Sequence, residues 1–588
     1  MRASLRAVTT PPPFQVEDLE SIYREQKFQL GYKAGEAEDI ETKPWLGESS
    51  NASLVEAAVT FKADILKQES HRINPEPNPT TDSHTIRATA KTAQRTRHWQ
   101  RRSSLPLASP TNAFDFPPEP LLFNLIGLYF TQINIYIPLL HRPTFMTDVR
   151  NNLHLRNTTF AATLLLVCAI ASRYSDAPDI VAEGMGCGWR WFNQTIEIPS
   201  SIGNHLFAQT TLYELQYFPL AVMFLEGSSA FQTCWTLIGF GFRLAQDIKV
   251  HRRAVPPKPP SVEGELYKRA LWVLIYLDGQ MSCSLRRTCG TDYFDIDIEP
   301  PLEVDDQFWE DPIHPFKQPH GVPSNVAFFN YVLQMNHILS VALTILYPAP
   351  KTRHHLSINS VGEESLLVDL DSSLNGYLNR IPDHLRWDPA QENQLFFDQS
   401  VALHVAYYYT QMLIHRPFIP MLRQSGSTTL PSLAICTNAA RSCANIVDIQ
   451  RQRNETSPAI INLGVVFTSA IILLLNMWSM RRKGEPHDIT SELKHVQKCM
   501  HLVKLCEERW QLAGLLWDIL AELMSVGHLP PPTKTNSGSS WPDVPTQING
   551  MNIDPTQATQ DLEMMLEMVD TLWANAPVGL DLNETPHE

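Results

Sequence analysis

The stretch ELYKRALWVLIYLDGQMSCSL, residues 265–285, places apolar side chains at the spacing of an α-helix. The same spacing recurs from about residue 121 to 525, and signals for β-hairpins are scarce there. The sequence therefore predicts an all-α fold, with one large multi-helical domain over residues 121–525.

A carboxylate stands out in the predicted helix. Asp278 falls on the same face as Leu271 and Leu274. A buried carboxylate needs a partner that offsets the loss of its hydration. We therefore expect an arginine to pair with Asp278, and the candidates are Arg243 and Arg287.

Two more helices have recognisable ends. Residues 158–174 begin with two threonines, which we expect to cap the helix. Residues 228–253 carry an apolar stripe and finish in a cluster of basic residues, as helix C-termini favour. Within this second helix, Arg243 and Asp247 lie one turn apart and are predicted to pair.

The triplet His-Arg-Pro occurs twice, in LLHRPTF (139–145) and LIHRPFI (413–419). Each copy follows an apolar stretch of helical spacing. Cations favour a helix C-terminus, and proline prevents the helix from continuing. A catalytic site would need a nucleophile or carboxylate beside each copy, and neither has one. The pattern predicts two helix ends.

Composition narrows the classes of function. The chain has 588 residues, a net charge of −15 and a pI of about 5.7. Its overall electrostatic field therefore does not favour binding to nucleic acid. No signal peptide is recognisable at the start, which indicates an intracellular protein with reduced thiols. The odd number of cysteines agrees, and they are Cys168, Cys187, Cys234, Cys283, Cys289, Cys436, Cys443, Cys499 and Cys506.

One segment is long and apolar enough to cross a membrane. Residues 458–480 read PAIINLGVVFTSAIILLLNMWSM. A helix buried inside a large helical domain would have the same composition. We favour the buried helix, because we expect no second apolar stretch of that length in the sequence. We therefore expect no membrane partner.

The first 120 residues are predicted to form two regions. Residues 1–85 contain candidate short helices, and residues 86–120 form a basic and then proline-rich linker. The basic part is either a solvated linker or a nuclear-localisation signal. Its candidate residues are Arg87, Lys91, Arg95, Arg97, Arg101 and Arg102.

The last part of the chain also divides in two. Residues 526–560 are rich in Pro, Ser, Gly and Asn and are predicted to be a linker. Residues 561–588 alternate acidic with large apolar side chains. Such a tail is typical of a disordered activation segment that folds on a partner, or of a last amphipathic helix that docks on the domain.

The sequence lacks the common motifs of enzyme chemistry. GxxxxGK[ST], GxGxxG, GxSxG and HExxH do not occur. The acidic stretch at 291–311 could bind a hard cation, but it lacks the spacing and glycine of a calcium loop, and a structural loop is favoured. We therefore expect no enzyme activity, no catalytic residue and no metal site.

Six stretches between about residues 120 and 520 together resemble a known family. They are LIGLYFTQINIYIPLLHRPTF (125–145), CWTLIGFGFRLAQDIKVHRR (234–253), the segment 266–309, IPDHLRWDP (381–389), YYYTQMLIHRPFI (407–419) and SAIILLLNMW (469–478). They are similar to the fungal-specific transcription factor domain, the middle homology region of zinc binuclear-cluster regulators of the xylanolytic-activator type. The residues that match the family's motifs are His141, Arg142, Pro143, Trp235, Arg243, Gln246, Asp247, His251, Arg252, Asp278, Arg287, His415, Arg416 and Pro417.

The resemblance implies a nuclear transcription regulator of RNA polymerase II genes. Its helical domain would control activity through a metabolite, a partner or homo- or heterodimerisation, and its acidic tail would recruit the transcription machinery. The family binds DNA through six cysteines that hold zinc near the N-terminus. The first cysteine here is Cys168, so no residue of this chain is assigned to zinc or to DNA, and no cofactor is expected.

One alternative to a DNA-binding regulator stays open. In this alternative, the chain is a truncated family member that does not bind DNA itself and acts through protein partners as a cofactor or competitor.

Overall fold

Helices dominate the described part of the chain. The computed structural model describes residues 114–196, 210–228, 230–253, 259–285, 287–291, 293–347, 360–419, 431–453, 463–483, 489–507 and 509–526. Within these ranges there are fifteen α-helices and no β-strand, which confirms the predicted all-α class. An isolated β-bridge between Arg252 and Asp297 is the extended pairing seen there.

The helices follow one another in this order: α1 Glu119–Gln132, α2 Arg142–Arg150, α3 Thr158–Ser172, α4 Pro178–Val181, α5 Trp189–Phe192, α6 Leu212–Glu226, α7 Thr233–Asp247, α8 Val262–Leu285, α9 Ala327–Leu346, α10 Ser360–Arg380, α11 Gln394–His415, α12 Ser432–Arg453, α13 Leu463–Lys483, α14 Ile489–Cys506 and α15 Gln511–Val526.

Two large hydrophobic cores hold these helices together, and a small third cluster contains Leu266, Val304 and Trp309. The first core is built mainly from α1, α3 and α6 to α10. The second core is built mainly from α11 to α15. Helices α9 and α11 contribute to both, since Leu339 of α9 packs in the second core and Leu403 of α11 packs in the first. The two cores therefore share these two helices as a common wall.

Helix α8 lies inside the first core. It packs against α6, α7 and α9, and most of its residues are buried. Glycines allow two of these approaches. A Cβ on Gly241 of α7 would lie 2.8 Å from Leu274, and a Cβ on Gly279 of α8 would lie 2.3 Å from Oδ1 of Asn336 in α9. Side chains at these positions would push the helices apart.

The apolar segment predicted at 458–480 contains α13, whose window Leu463–Met480 is 89% buried among other helices. A second helix, Ala327–Leu346, also meets the length and composition of a membrane span, with 61% of its window buried. The expectation that no other such span exists was therefore wrong. The polar residues Asn330, Asn336 and His337 interrupt the apolar sequence of this helix, so the stretch is less easily recognised as a possible membrane span. Both helices form core walls in this structure.

The first His-Arg-Pro copy does not end a helix, so that prediction was wrong. Helix α1 ends at Gln132, and Pro143 lies in the first turn of α2. Proline is favoured there because the first helical N–H groups need no intrahelical partner. The second copy agrees with the prediction, because α11 ends at His415 and a short 3-10 turn, Arg416–Phe418, follows.

Two predicted helix ends also differ. Asn157, rather than a threonine, caps α3, and its side chain accepts a hydrogen bond from the N–H of Phe160 at 2.9 Å. Helix α7 ends at Asp247 rather than near residue 253. Lys249 has a φ of 62°, a left-handed conformation that a right-handed helix cannot contain.

Several predicted features lie outside the described residues. They are the short helices of 1–85, the basic segment 86–102, the linker 526–560 beyond Val526 and the acidic tail 561–588. The division of the chain into these domains stays a prediction.

Candidate functional site

The chain that follows α8 turns back and runs alongside it. Residues 287–306 supply hydrogen-bond partners for the polar side chains of this buried helix. Side-chain bonds join Glu265 to the N–H of Leu302 at 2.7 Å, Trp272 Nε1 to the carbonyl oxygen of Glu299 at 2.9 Å, and Ser282 Oγ to the carbonyl oxygen of Thr288 at 3.3 Å. We call residues 287–306 the return segment. It carries much of the acidic stretch singled out in the sequence.

Asp306, at the end of the return segment, joins three parts of the fold. One carboxylate oxygen lies 2.8 Å from Nη1 of Arg269 on α8. The other accepts a hydrogen bond from the backbone N–H of Arg142 at 3.1 Å, at the start of α2. Its carbonyl oxygen lies 3.0 Å from Nε2 of His141, whose ring stacks on Trp309. The first His-Arg-Pro copy is therefore a structural joint.

Arg269 depends on this joint. Its side chain is 0% exposed, and its guanidinium lies 4.2 Å from the centre of the Trp309 ring. Nε and Nη2 are buried and find no hydrogen-bond partner among the described residues. Asp306 is thus the charged group that compensates Arg269 in this part of the chain. Sequence analysis did not select Arg269, although an arginine inside an apolar helix was a visible signal.

The other acids near the joint also have structural roles. Asp305 accepts hydrogen bonds from Ser324 Oγ at 3.0 Å and from the N–H of Asn325 at 2.8 Å. Glu299 lies 2.6 Å from Nη2 of Arg253, in an exposed ion pair. Among the described residues, no group of three or more His, Cys, Asp or Glu side chains is placed to hold a metal ion.

Asp278 does not pair with an arginine, so that prediction was wrong. Its side chain is buried, and Oδ2 accepts a hydrogen bond from the N–H of Gly290 in the return segment at 2.7 Å. Ser282 Oγ lies 3.4 Å from Oδ1. Burial raises the pKa of Asp278 to about 7, although these hydrogen bonds oppose the rise.

The two proposed arginine partners have other contacts. Arg243 donates from Nη1 to Oε1 of Gln246 at 3.0 Å on the exposed side of α7, so its predicted pairing with Asp247 is not observed. Arg287 lies over the ring of Trp235, 5.1 Å from its centre. Trp235 in turn donates from Nε1 to the carbonyl oxygen of Thr288 at 3.3 Å. These family-motif residues connect α7 to the return segment.

The remaining motif residues after α7 also meet the return segment. The carbonyl oxygen of His251 accepts a hydrogen bond from the N–H of Asp297 at 2.9 Å. Arg252 forms the isolated bridge with the same residue. Both are therefore placed by backbone pairing, and Asp247 is exposed at the end of α7.

The second His-Arg-Pro copy links three helices. His415, buried at the end of α11, lies 3.0 Å from a carboxylate oxygen of Asp371 on α10 and 3.3 Å from Oγ of Ser432 on α12. Arg416 is buried and lies 5.7 Å from the centre of the Tyr347 ring. Pro417 belongs to the short turn that follows. The two copies are not brought together into one site.

A cleft opens between α8, α9, α11 and α13, and sequence analysis did not anticipate it. Its cavity volume is about 50 Å³, and the empty space reaches about 620 Å³ only when the open mouth is included. The described residues that line it include no Asp, Glu, Lys, Arg or His. They are Tyr136, Ile137, Tyr276, Gln280, Phe328, Val332, Met335, Asn336, Leu339, Ala402, Val405, Ala406, Tyr409, Thr410 and Val465.

Comparison with known proteins agrees with this arrangement of motifs. Residues 126–379, from α1 to the end of α10, match the fungal specific transcription factor domain. This part of the chain is therefore similar to that family. The matched segment contains the Asp306 joint, the Asp278 site and the return segment, whereas the second His-Arg-Pro copy lies beyond it.

Proteins similar to this chain include fungal regulators. Transcriptional activator protein acu-15 of Neurospora crassa is 23% identical over 73% of this chain and 46% of the relative. Activator of stress genes 1 of Saccharomyces cerevisiae is 22% identical over 53% and 32%. Cutinase transcription factor 1 alpha of Fusarium vanettenii is 22% identical over 70% and 44%. The aligned part of this chain thus spans less than half the length of each. No solved structure matches the chain.

Replacing Asp306 with alanine tests the joint around the first His-Arg-Pro copy. Asp306→Ala leaves the guanidinium of Arg269 buried without a compensating charge. We expect the free energy of unfolding to fall by about 3–5 kcal/mol, as when one partner of a buried ion pair is removed. Urea denaturation followed by circular dichroism measures the loss. The exposed Glu310 gives the control, and Glu310→Ala should change stability by less than about 0.5 kcal/mol. Equal stabilities of the two variants would contradict the role of Asp306.

Replacing Asp278 with asparagine tests the buried carboxyl. The pKa of Asp278 is about 7 in the folded protein and 3.8 in the reference state, so the folded protein holds this proton more tightly. The resulting stability is complete below pH 4 and is lost as the pH rises through 7. Asp278→Asn removes this dependence, and we expect variant and parent to diverge by roughly 2–4 kcal/mol between pH 4 and pH 8.

Denaturation curves across this pH range provide the measurement for Asp278→Asn. Asp295→Asn is a matched control, because Asp295 is exposed in the same return segment. A pH dependence that is identical in Asp278→Asn and the parent would show that this carboxyl does not titrate on unfolding.

Proposed function

We propose that this chain is a transcription regulator of RNA polymerase II genes whose helical domain regulates its activity. The match of residues 126–379 to the fungal specific transcription factor domain carries this proposal. The relatives named as activators or transcription factors support it. The comparisons do not favour the alternative of a truncated cofactor or competitor.

The proposed function is regulatory and does not involve catalysis. The two His-Arg-Pro copies and Asp278, which were the reactive-looking features of the sequence, are used for packing between helices and the return segment. The described residues that line the cleft include no histidine or carboxylate, the side chains that most often act as general acid or base. A binding and regulatory role fits these observations better than catalysis.

DNA and zinc are proposed partners by family resemblance alone. The nine cysteines of this chain are free thiols in the structure, and eight of them are buried, in helical or turn segments far apart in the sequence. No residue of the chain is assigned to zinc or to DNA, and the expectation of no cofactor stays a prediction.

Nuclear localisation and recruitment complete the proposed function. The basic segment 86–102 carries the candidate import residues, and the acidic tail 561–588 carries the apolar and acidic side chains that suit a co-regulator surface. We also propose that the chain forms a dimer with a second copy of itself or with a related regulator.

A reporter assay tests the regulator and its tail. The chain is fused to an unrelated DNA-binding domain and placed upstream of a reporter gene. We expect activation that falls at least about fivefold when Leu562, Leu566 and Trp573 become alanine, because a co-regulator would bury these side chains at its interface. The matched control replaces Thr571, Asn575 and Asn583 with alanine and should keep full activity. A fusion that never alters transcription would refute the function, and equal outputs of both triple variants would refute the tail's role.

Replacing Arg97, Arg101 and Arg102 with glutamine tests the import signal. Removing these charges should move a fluorescent fusion of the chain from the nucleus to the cytoplasm, because import signals depend on clustered cations. Fluorescence microscopy gives the nuclear fraction, which we expect to drop at least about threefold. Arg150, Arg156 and Lys317 are exposed on the helical domain, and the same replacement there is the control. Unchanged nuclear accumulation of the first variant would contradict the assignment.

A further inference from the structure

The cleft lies where the two hydrophobic cores meet. Tyr276 and Phe328 on its walls belong to the first core, whereas Leu339, Val405 and Val465 belong to the second. Ligand sites occur preferentially at such boundaries between packed units and between helices. A molecule bound here would contact both cores at once.

The lining defines the chemistry of an occupant. Most of the wall is aromatic or aliphatic, and the polar groups are neutral amides and hydroxyls. A charged ligand would lose its hydration without meeting an opposite charge on these walls, which is costly. A neutral molecule with mostly apolar surface loses little and gains from the burial of that surface.

One end of the cleft holds a fixed polar pair. Nδ2 of Asn336 donates to the carbonyl oxygen of Ile275 at 3.2 Å and to the hydroxyl of Tyr293 at 2.9 Å. Gln280 donates from Nε2 to Oδ1 of Asn336 at 3.3 Å. Gly279 leaves the room that Asn336 occupies. These contacts fix the Asn336 amide before any ligand arrives.

The side-chain amide of Gln280 can form further hydrogen bonds. Its side chain is half-buried, and its bond to Asn336 uses one of its two Nε2 protons. Among the described residues, no donor pairs with its Oε1. An amide with one remaining N–H and a carbonyl oxygen can bind a carbonyl or hydroxyl group of a ligand.

We propose that this cleft is an effector site for a neutral, largely apolar small molecule with one carbonyl or hydroxyl group, which hydrogen bonds to Gln280. The regulatory part of this inference rests on the proposed function, because an effector requires a regulator. A ligand bound in the cleft would contact α9 and α11, the helices that contribute to both cores.

Binding is measured with prodan, a neutral naphthalene dye that carries one carbonyl and whose emission shifts to the blue in apolar surroundings. We expect saturable binding to the purified full chain with one molecule per chain. Val332→Trp fills the cleft from α9 and should weaken binding at least about tenfold. Val368→Trp is the matched control on α10, where the valine is 59% exposed, and should leave the affinity unchanged. Gln280→Leu should weaken binding roughly fivefold, as the loss of one hydrogen bond does.

Three outcomes would overturn the site: no saturable binding, equal affinities of Val332→Trp and Val368→Trp, or displacement of prodan by the anionic dye anilinonaphthalene sulfonate at equal concentration. Circular dichroism confirms that each variant is folded, and Ala406→Leu replaces Val332→Trp if the latter is not. The reporter fusion separates the two proposals. If it regulates transcription but Val332→Trp and Val368→Trp give equal output, the effector role fails while the proposed function stands.

Discussion

Most of helix α8 is buried between its neighbours, so its buried polar side chains depend on partners inside the protein. This constraint organises the surrounding structure. Arg269 obtains its partner from Asp306, and Asp278 obtains one from the backbone of Gly290. Buried charges and polar groups without partners cost more than most single contacts contribute, so the path of the return segment is set by these bonds. Through Asp306, the same segment also fixes the start of α2.

The sequence predicted the helical class because helical spacing is a local property. It also showed that Asp278 needed a partner. It did not show that the partner is a backbone N–H, since every residue except proline has one and no side chain identifies the donor. The Asp278 partner therefore depended on the path of a segment without regular structure.

The two His-Arg-Pro copies show a different limit. Proline fits equally well after a helix and in the first turn of the next one, so the same triplet ends α11 and begins α2. The cleft was beyond sequence analysis for another reason. Its walls come from residues between Tyr136 and Val465, and no local pattern reports which of them meet.

The sharing of α11 between the cores means that the segment matched by the family model and the cooperatively folding unit have different limits. The family match stops at residue 379, yet Leu403 and Tyr407 of α11 fill the first core. Gln399 also donates to the carbonyl oxygen of Ile135 at 3.1 Å. Unfolding of the second core would therefore remove the α11 side chains that pack in the first core. The segment that the family model covers is therefore only part of what must fold together in this chain.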